Sequence, residues 1–201
     1  MWRNTQAAWG RLSRGLHWGM ALMIAVQFPL GLQMVEAYDA WMAGQGEPAR
    51  ALLLERAHNT LGFLVLIAVL VRLAWRTANP TPGLPSALVA WQRFTARATH
   101  AVLYALLILL PLSGWSALSA YEGEFPIYFF GWENVPRLVP QATPGSPFTS
   151  DLFGEIHEYA LWVLGTVLAL HVIAALWHEY VRKDGILLRM WRGQTNQDTT
   201  R

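Results

Sequence analysis

Histidine is the residue whose type and spacing in this sequence point most directly to chemistry. His157 and His171 stand 14 residues apart in one long apolar stretch. Fourteen residues are two heptads, so both side chains lie on one stripe of a helix, about 21 Å apart along its axis. An imidazole in an apolar interior needs a partner, and histidine is a common metal ligand. The spacing therefore predicts two ligand sites at two depths.

The remaining composition limits what those histidines can bind. The sequence contains no cysteine, which excludes disulfides, iron-sulfur clusters and thiolate-bound zinc. A metal would have to be held by histidine, carboxylate or methionine. The cores of the apolar stretches contain no carboxylate, so imidazole is the expected ligand.

Four apolar stretches must position these side chains. Hydrophobic residues make up 54% of the chain and charged residues only 14%, whereas soluble domains contain about 25% charged residues. A bilayer core of about 30 Å needs a helix of about 20 apolar residues. The predicted fold is therefore all-α, an integral membrane four-helix bundle in a single domain over residues 1–193. The spans are placed at about 16–35, 58–75, 99–120 and 156–178, with a polar, disordered tail at 194–201.

The segments around the spans carry further expectations. Residues 36–56 are polar and acidic and predict an exposed connection with a short helix at 49–55. Residues 87–99 predict a separate amphipathic helix before the third span, and 155–183 predict one continuous helix. The stretch 122–150 is rich in proline, glycine and aromatic residues. It is too long for an ordinary loop, so we expect it to cap the bundle or to contact a partner.

Charge asymmetry predicts the orientation. Of the 15 Lys and Arg residues, all but Arg50, Arg56 and Arg137 fall on the side of the two termini and the connection after the second span. Positive residues accumulate on the cytoplasmic side of membrane proteins. Both termini are therefore predicted to be cytoplasmic, and the opposite, outer side is predicted to be acidic.

This orientation assigns a depth to each histidine. His58 and His157 open the second and fourth spans and are predicted to pair near the outer face. His171 lies nearer the cytoplasmic face, where His17 and His100 are both eligible as its partner. Two histidines that bind from opposite sides, without other ligands, fit b-type haem better than zinc, which takes a third or fourth protein ligand.

Other residues on the same stripes suggest supporting roles. Arg72 follows His58 by two heptads, so it lies on the ligand stripe at the inner depth, where it can either bind an anion or anchor the helix end. Gly31, Gly62 and Gly114 fall at the depth of the outer site. They either make room for a porphyrin edge or simply allow close helix packing.

Two further histidines remain unassigned. His100 and His178 are weaker ligand candidates, and either could belong to a polar pocket such as a quinone site.

Several motifs resemble the bacterial cytochrome b561 family, which is similar to the b-type subunits of nickel hydrogenases. They are RLSRGLHW, His58 followed by Gly62 and Arg72, THAVLYALLILLPLSGW, and GEIHEYALWVLGTVLALHVIAALWHEYVRKDGILLRM. The resemblance covers residues 11–192. It implies four helices holding two haems b, with axial ligands His17, His58, His157 and His171, and it selects His17 as the inner partner of His171.

The resemblance also implies a function and a location. Proteins of this kind pass electrons between quinone and a second partner in the respiratory chain, and one member oxidises superoxide at the outer face while reducing ubiquinone. The expected location is the bacterial cell inner membrane, with multiple spans. The expected partners are lipid, quinone, and either superoxide or an outer-face redox protein, but no nucleic acid.

Two classes of function follow. The favoured one is a membrane di-haem cytochrome that transfers electrons between an outer-face partner and the quinone pool, with superoxide:ubiquinone oxidoreductase as its alternative. Capture of an anion such as superoxide is favoured by a positive surface, whereas the outer side of this protein is predicted to be acidic. The competing class is a non-redox membrane subunit whose histidines are structural.

Overall fold

The computed structural model of the chain is all-helical and describes residues 1–83 and 88–193. The described residues form α1 (Arg11–Met42), α2 (Pro48–Thr77), α3 (Ala90–Ala120), α4 (Ser150–Trp177) and α5 (Ile186–Arg192), with a π-helical turn at His178–Arg182 between the last two. Extended structure in these residues is limited to two isolated β-bridges. The predicted all-α class is confirmed, and the tail predicted at 194–201 lies outside the described residues.

Four of these helices have the length and apolarity to cross a membrane. They cover Arg11–Met42, Pro48–Thr77, Ala90–Ala120 and Ser150–Arg182, with mean hydropathy between 1.4 and 2.1. No more than 28% of any of the four apolar windows is buried within the protein. Their apolar surfaces are therefore suited to lipid, and the four predicted spans are confirmed.

The predicted connection over residues 36–56 is wrong, because helix occupies most of it. α1 continues to Met42 and α2 begins at Pro48, which leaves only residues 43–47 as a turn. Gly44 ends α1 with a φ of 70°, a left-handed conformation typical of glycine after a helix. The length of an apolar run indicates how much of a helix lies in the bilayer. It does not indicate where the helix begins and ends, since polar residues continue the helix outside the bilayer.

The separate helix predicted at 87–99 is also wrong, whereas the continuous helix predicted at 155–183 is present as Ser150–Arg182 and begins five residues earlier. α3 begins at Ala90 and runs without a break to Ala120, so there is no separate approach helix. α4 begins at Ser150, where the Thr149 hydroxyl accepts a hydrogen bond from the Leu152 amide at 3.1 Å and caps the helix. At its other end the π-helical turn follows Trp177, and Lys183 has a φ of 53°.

The contacts divide the chain into two compact units. Unit 1 comprises the described residues of Met1–Gly19, Ala68–Leu106 and Trp162–Arg201, and unit 2 comprises Met20–Ile67 and Leu107–Leu161. Each of α1 to α4 contributes a segment to both units. Unit 1 contains the segments predicted to be cytoplasmic, and unit 2 contains the two connections predicted to be outside.

The long connection before α4 packs against helix ends inside unit 2. Trp115 donates its indole N–H to the Pro136 carbonyl at 3.0 Å, and the Ala142 amide donates to the Ala120 carbonyl at 2.9 Å. A tight turn at its centre pairs Phe129 with Trp132 and leaves the Phe130 side chain 68% exposed. The expected cap is therefore present within this unit.

Candidate functional site

Three histidines meet in unit 1, and we call them the His17 cluster. His17 of α1 and His171 of α4 have ring centroids 6.3 Å apart, with planes at 70°. His100 of α3 lies closer to His171, with centroids 5.3 Å apart and planes at 75°. Both of the partners that depth allows for His171 are therefore adjacent to it.

The ring separations distinguish His17 from His100 as the partner of His171. A metal–imidazole bond is about 2 Å and a ring centroid lies about 1.1 Å behind its nitrogen, so two imidazoles on opposite sides of one metal place their centroids about 6.2 Å apart. The His17–His171 separation matches this value, and the His100–His171 separation is about 1 Å too short. The geometry thus favours His17 over His100 as the partner of His171.

Unit 2 contains the other histidine pair, His58 of α2 and His157 of α4, which we call the His58 pair. Their ring centroids are 6.1 Å apart, with planes at 73°. This separation also matches that of two imidazoles on opposite sides of one metal. The sequence predicted the His58 pair but left His17 and His100 open as partners of His171, and the family resemblance selected His17. The structure brings these histidines together, although ligation itself stays a prediction.

Polar groups hold the imidazole of His157. Its Nδ1 lies 2.8 Å from the Leu110 carbonyl, which only accepts, so Nδ1 carries the proton and donates. The Ser113 hydroxyl lies 3.3 Å from the same nitrogen. This arrangement leaves Nε2 unprotonated, as a ligating histidine requires.

His58 is held differently. Gln27 donates from its amide to the His58 carbonyl at 3.0 Å, and the same amide nitrogen lies 3.3 Å from His58 Nε2. His58 Nδ1 is buried and has no hydrogen-bond partner among the described residues. The Gln27 amide nitrogen only donates, so this contact makes Nε2 the acceptor and places the proton of His58 on Nδ1, a buried donor without an acceptor among the described residues.

Two glycines create the space that these rings occupy. A Cβ placed on Gly31 would lie 3.0 Å from His58 Cε1, and one on Gly114 would lie 3.1 Å from two atoms of the His157 ring. Both positions are therefore limited to glycine by the histidines themselves. A Cβ on Gly62 would make only an ordinary 3.5 Å contact with Gln27. Room for a porphyrin edge at these glycines stays a prediction.

Arg72 lies in unit 1 with the His17 cluster. Its Nε donates to the Tyr104 hydroxyl at 2.9 Å, and its charge interacts with His17 and His171. Arg76 lies over the same Tyr104 ring, 5.9 Å from its centroid. Arg72 is half-buried, and the more exposed Arg76 also acts electrostatically on the cluster through His100.

His178 takes no part in either group of histidines. Its Nδ1 lies 2.5 Å from Asp184 in an ion pair that joins the π-helical turn to the segment before α5. This histidine therefore has a structural partner of its own.

Sequence reasoning missed the residues that support the histidines. Gln27, Tyr104 and Ser113 are single polar residues within apolar helices. A polar side chain at membrane depth is a detectable signal, but only the fold shows which histidine or arginine it contacts.

Two of the three arginines in the segments predicted to face outward are engaged in contacts with described residues. Arg56 forms an exposed 3.2 Å ion pair with Glu133. Arg137 donates to the Ser119 carbonyl at 2.6 Å and to the Leu118 carbonyl at 3.2 Å, so it satisfies the end of α3. Only Arg50, of the three arginines on that side, is exposed without such a contact among the described residues.

The donor set fits haem rather than a bare ion. No group of three or more His, Cys, Asp and Glu side chains in the described ranges could hold a metal, whereas zinc takes three or four protein ligands. Haem needs only axial ligands from the protein, because the porphyrin fills the other positions. The two paired ring spacings agree with this requirement.

Four helices of membrane-spanning length with facing histidine pairs define an integral membrane protein of the haem-binding type. The chain belongs to the family described as prokaryotic cytochrome b561, which matches residues 8–193. It is therefore a membrane cytochrome, and membership of the family implies b-type haem and electron transport.

Curated relatives cover nearly the full chain. It is similar to cytochrome b561 homolog 2 of Escherichia coli, with 32% identity over 97% of this chain and 96% of the relative. It is 28% identical to cytochrome b562 of Cereibacter sphaeroides, over 90% of this chain and 94% of the relative. The probable superoxide oxidase CybB of Yersinia pestis is 26% identical, over 89% of this chain and 93% of the relative.

Proposed function

We propose that this protein is a di-haem b cytochrome of the bacterial inner membrane that transfers electrons between a partner at its outer face and the quinone pool. The two facing histidine pairs carry the proposal, with ring separations of 6.1 Å and 6.3 Å. His58 with His157 would hold the outer haem, and His17 with His171 the inner haem. A bound haem b supplies reversible one-electron chemistry.

The polypeptide contributes orientation at the outer pair. The Leu110 carbonyl fixes the proton of His157 on Nδ1, which directs the basic Nε2 toward the iron position. Gln27 ties the α2 backbone at His58 to α1. Such supporting contacts keep ligand rings from rotating and thereby raise their affinity for the metal.

Arg72 contributes charge at the inner pair. We assign it to a haem propionate, since a guanidinium forms strong, charge-assisted hydrogen bonds with carboxylates. Tyr104 holds the Arg72 side chain beside the cluster. The quinone would be reached from the same unit, with His100 as the candidate contact, because this histidine is adjacent to His171 but too close to share a metal with it.

A redox protein with a basic docking face is the favoured outer partner. Exposed carboxylates crowd the segments predicted to face outward, at Glu36, Asp39, Glu47, Glu122, Glu124 and Glu133. The exposed aromatic turn at Phe130 and Trp132 adds apolar area for contact. Opposite charges speed protein association and set its orientation.

Superoxide:ubiquinone oxidoreductase activity is the second candidate. The name of the Yersinia pestis relative supports it. The exposed carboxylates of the segments predicted to face outward and the pairing of Arg56 with Glu133 argue against it, since they leave little net positive charge to attract an anion.

Vesicles containing ubiquinone test the proposal. The purified, haem-loaded protein should show two b-type spectral components, and ubiquinol should reduce both of them in vesicles. Vesicles that contain oxidised ubiquinone in place of ubiquinol provide the control. An absent haem spectrum would support the non-redox alternative. Haems that stay oxidised in the presence of ubiquinol would show that quinone is not an electron-transfer partner.

A further inference from the structure

A small basic pocket in unit 1 lies apart from the histidines. It has a volume of about 100 Å³, and its wall includes Arg3, Arg14 and Arg192 together with Trp9 and Gly193. We call it the N-terminal pocket. Three cationic side chains, from the N-terminal segment, from the first turn of α1 and from α5, converge on this one space.

The N-terminal segment is folded to form one wall. Asn4 is buried, and its side-chain carbonyl accepts from the Gly10 amide at 2.9 Å and from the Ser13 hydroxyl at 2.7 Å. The amide of Asn4 donates to the Pro80 carbonyl at 3.0 Å. Arg3 is therefore carried on a fixed backbone rather than on a free end.

Helix α5 is fastened to form the other wall. Arg14 donates to the Trp191 carbonyl at 2.7 Å, and the Trp18 indole donates to the Met190 carbonyl at 3.2 Å. Arg189 donates to the Ala7 carbonyl at 2.8 Å. These contacts hold Arg192 and Gly193 beside Arg14.

The pocket carries positive charge that the described protein does not neutralise. Ion pairs in the described part of the chain involve Arg56 with Glu133 and His178 with Asp184, and none involves the three pocket arginines. Arg14 Nε is buried and lacks an acceptor there as well. Like charges held together repel one another, so an anion in the pocket would be stabilising.

The surroundings indicate what kind of anion it is. Trp2 is 70% exposed and Trp191 is 62% exposed, and tryptophan favours the membrane–water interface. Arg14 lies in the first turn of α1, a helix able to span the membrane. The pocket volume is that of about three water molecules, which suits one phosphate group whose chains remain outside.

We propose that the N-terminal pocket binds the phosphate of an anionic phospholipid, with Arg3 and Arg192 as its contacts. Basic pockets beside membrane helices on the cytoplasmic side recognise such headgroups, and each nearby arginine strengthens binding about fivefold. The bound lipid would hold the N-terminal segment and α5 at the membrane surface, next to the His17 cluster of the same unit.

Native mass spectrometry of the full-length, haem-loaded protein tests this site. The protein in detergent is equilibrated with equal amounts of phosphatidylglycerol and phosphatidylcholine, and the two adducts are counted. We expect phosphatidylglycerol to dominate in the wild-type protein. The double variant Arg3→Gln/Arg192→Gln should lower the adduct ratio by about 25-fold, about fivefold for each arginine.

The matched control is Arg93→Gln/Arg97→Gln, which removes the same charge from α3 on the same predicted side. It should leave the adduct ratio near the wild-type value. Arg3→Gln alone serves if the double variant does not fold, as judged by its melting temperature. An unchanged ratio in the Arg3 and Arg192 variants would overturn the proposal, as would an equal loss in the control.

Inorganic phosphate distinguishes a lipid from a soluble anion. Phosphate in excess should leave the phosphatidylglycerol adduct in place, because the lipid is also held by its apolar chains. Displacement of the lipid by phosphate would assign the pocket to a soluble anion and contradict the lipid assignment.

Discussion

Gly114 of α3 lies directly against the imidazole of His157 of α4, so closely that a Cβ at position 114 would be 3.1 Å from two ring atoms. The position of the ring therefore depends on the absence of a side chain on the neighbouring helix. Gly31 and His58 have the same relationship on the other side of the pair.

The first prediction concerns this close approach. Gly114→Ala should displace the His157 ring, since adding a methyl group to a packed site costs about 1–3 kcal/mol. We expect weaker retention of the outer haem and a shifted absorption spectrum for it. Gly154→Ala is the control, because a Cβ at Gly154 meets nothing within 4 Å. Equal haem retention in the two variants would show that the contact is unimportant.

The sequence predicts the spans and the depth of each histidine because apolar length and heptad spacing determine them. It leaves the inner partner of His171 open between His17 and His100, since depth says nothing about how the helices are rotated. The 6.3 Å and 5.3 Å separations come only from the packed structure. Helix ends were misplaced for a related reason. Hydropathy marks where lipid begins, whereas Gly44 and Thr149 mark where helices end or begin.

A second prediction concerns the hydrogen bond between α1 and α2 in unit 2. The Tyr38 hydroxyl lies 2.5 Å from the buried carboxyl group of Glu55, which also accepts from Asn59 at 3.3 Å. Tyr38→Phe leaves that carboxyl group with one partner fewer. The free energy of unfolding should fall by about 1–3 kcal/mol, the cost of an unsatisfied buried polar group.

Thermal unfolding of the purified protein measures this effect. Tyr180→Phe provides the comparison, since Tyr180 is 72% exposed and should change the melting temperature little. Indistinguishable melting temperatures for the two variants would mean that the Tyr38–Glu55 contact contributes nothing.

A third prediction concerns Arg72. Arg72→Leu should lower the midpoint potential of the inner haem by on the order of 60 mV, which corresponds to about tenfold in a one-electron equilibrium. A nearby positive charge favours the reduced and less positive state. Potentiometric titration followed by absorption gives the value, and Tyr104→Phe should produce a smaller shift in the same direction.

Arg76→Leu is the matched control for the third prediction. It removes the same charge one turn later on α2 and should lower the potential less than Arg72→Leu does, because Arg76 is more exposed. Equal potentials for the Arg72 variant and the wild type would mean that Arg72 only anchors the end of the helix.

A fourth prediction concerns superoxide. The acidic outer segments and the engaged Arg56 and Arg137 should make haem reduction by superoxide slow. Salt should speed the reaction, because the Debye length shrinks from about 30 Å at 0.01 M to about 10 Å at 0.1 M and screens the repulsion. Stopped-flow reduction at several ionic strengths measures the rate. A near-diffusion-limited rate that falls with salt would instead identify a superoxide oxidase.

The haem content of histidine variants tests the central claim most directly. The wild-type protein should carry about two haems b per chain, and His17→Ala and His58→Ala should each carry about one, because each variant breaks one pair of axial ligands. His100→Ala should keep both, since its separation from His171 is shorter than that of two imidazoles on opposite sides of one metal. Two haems retained in either His17→Ala or His58→Ala, or a haem lost in His100→Ala, would contradict the pairing.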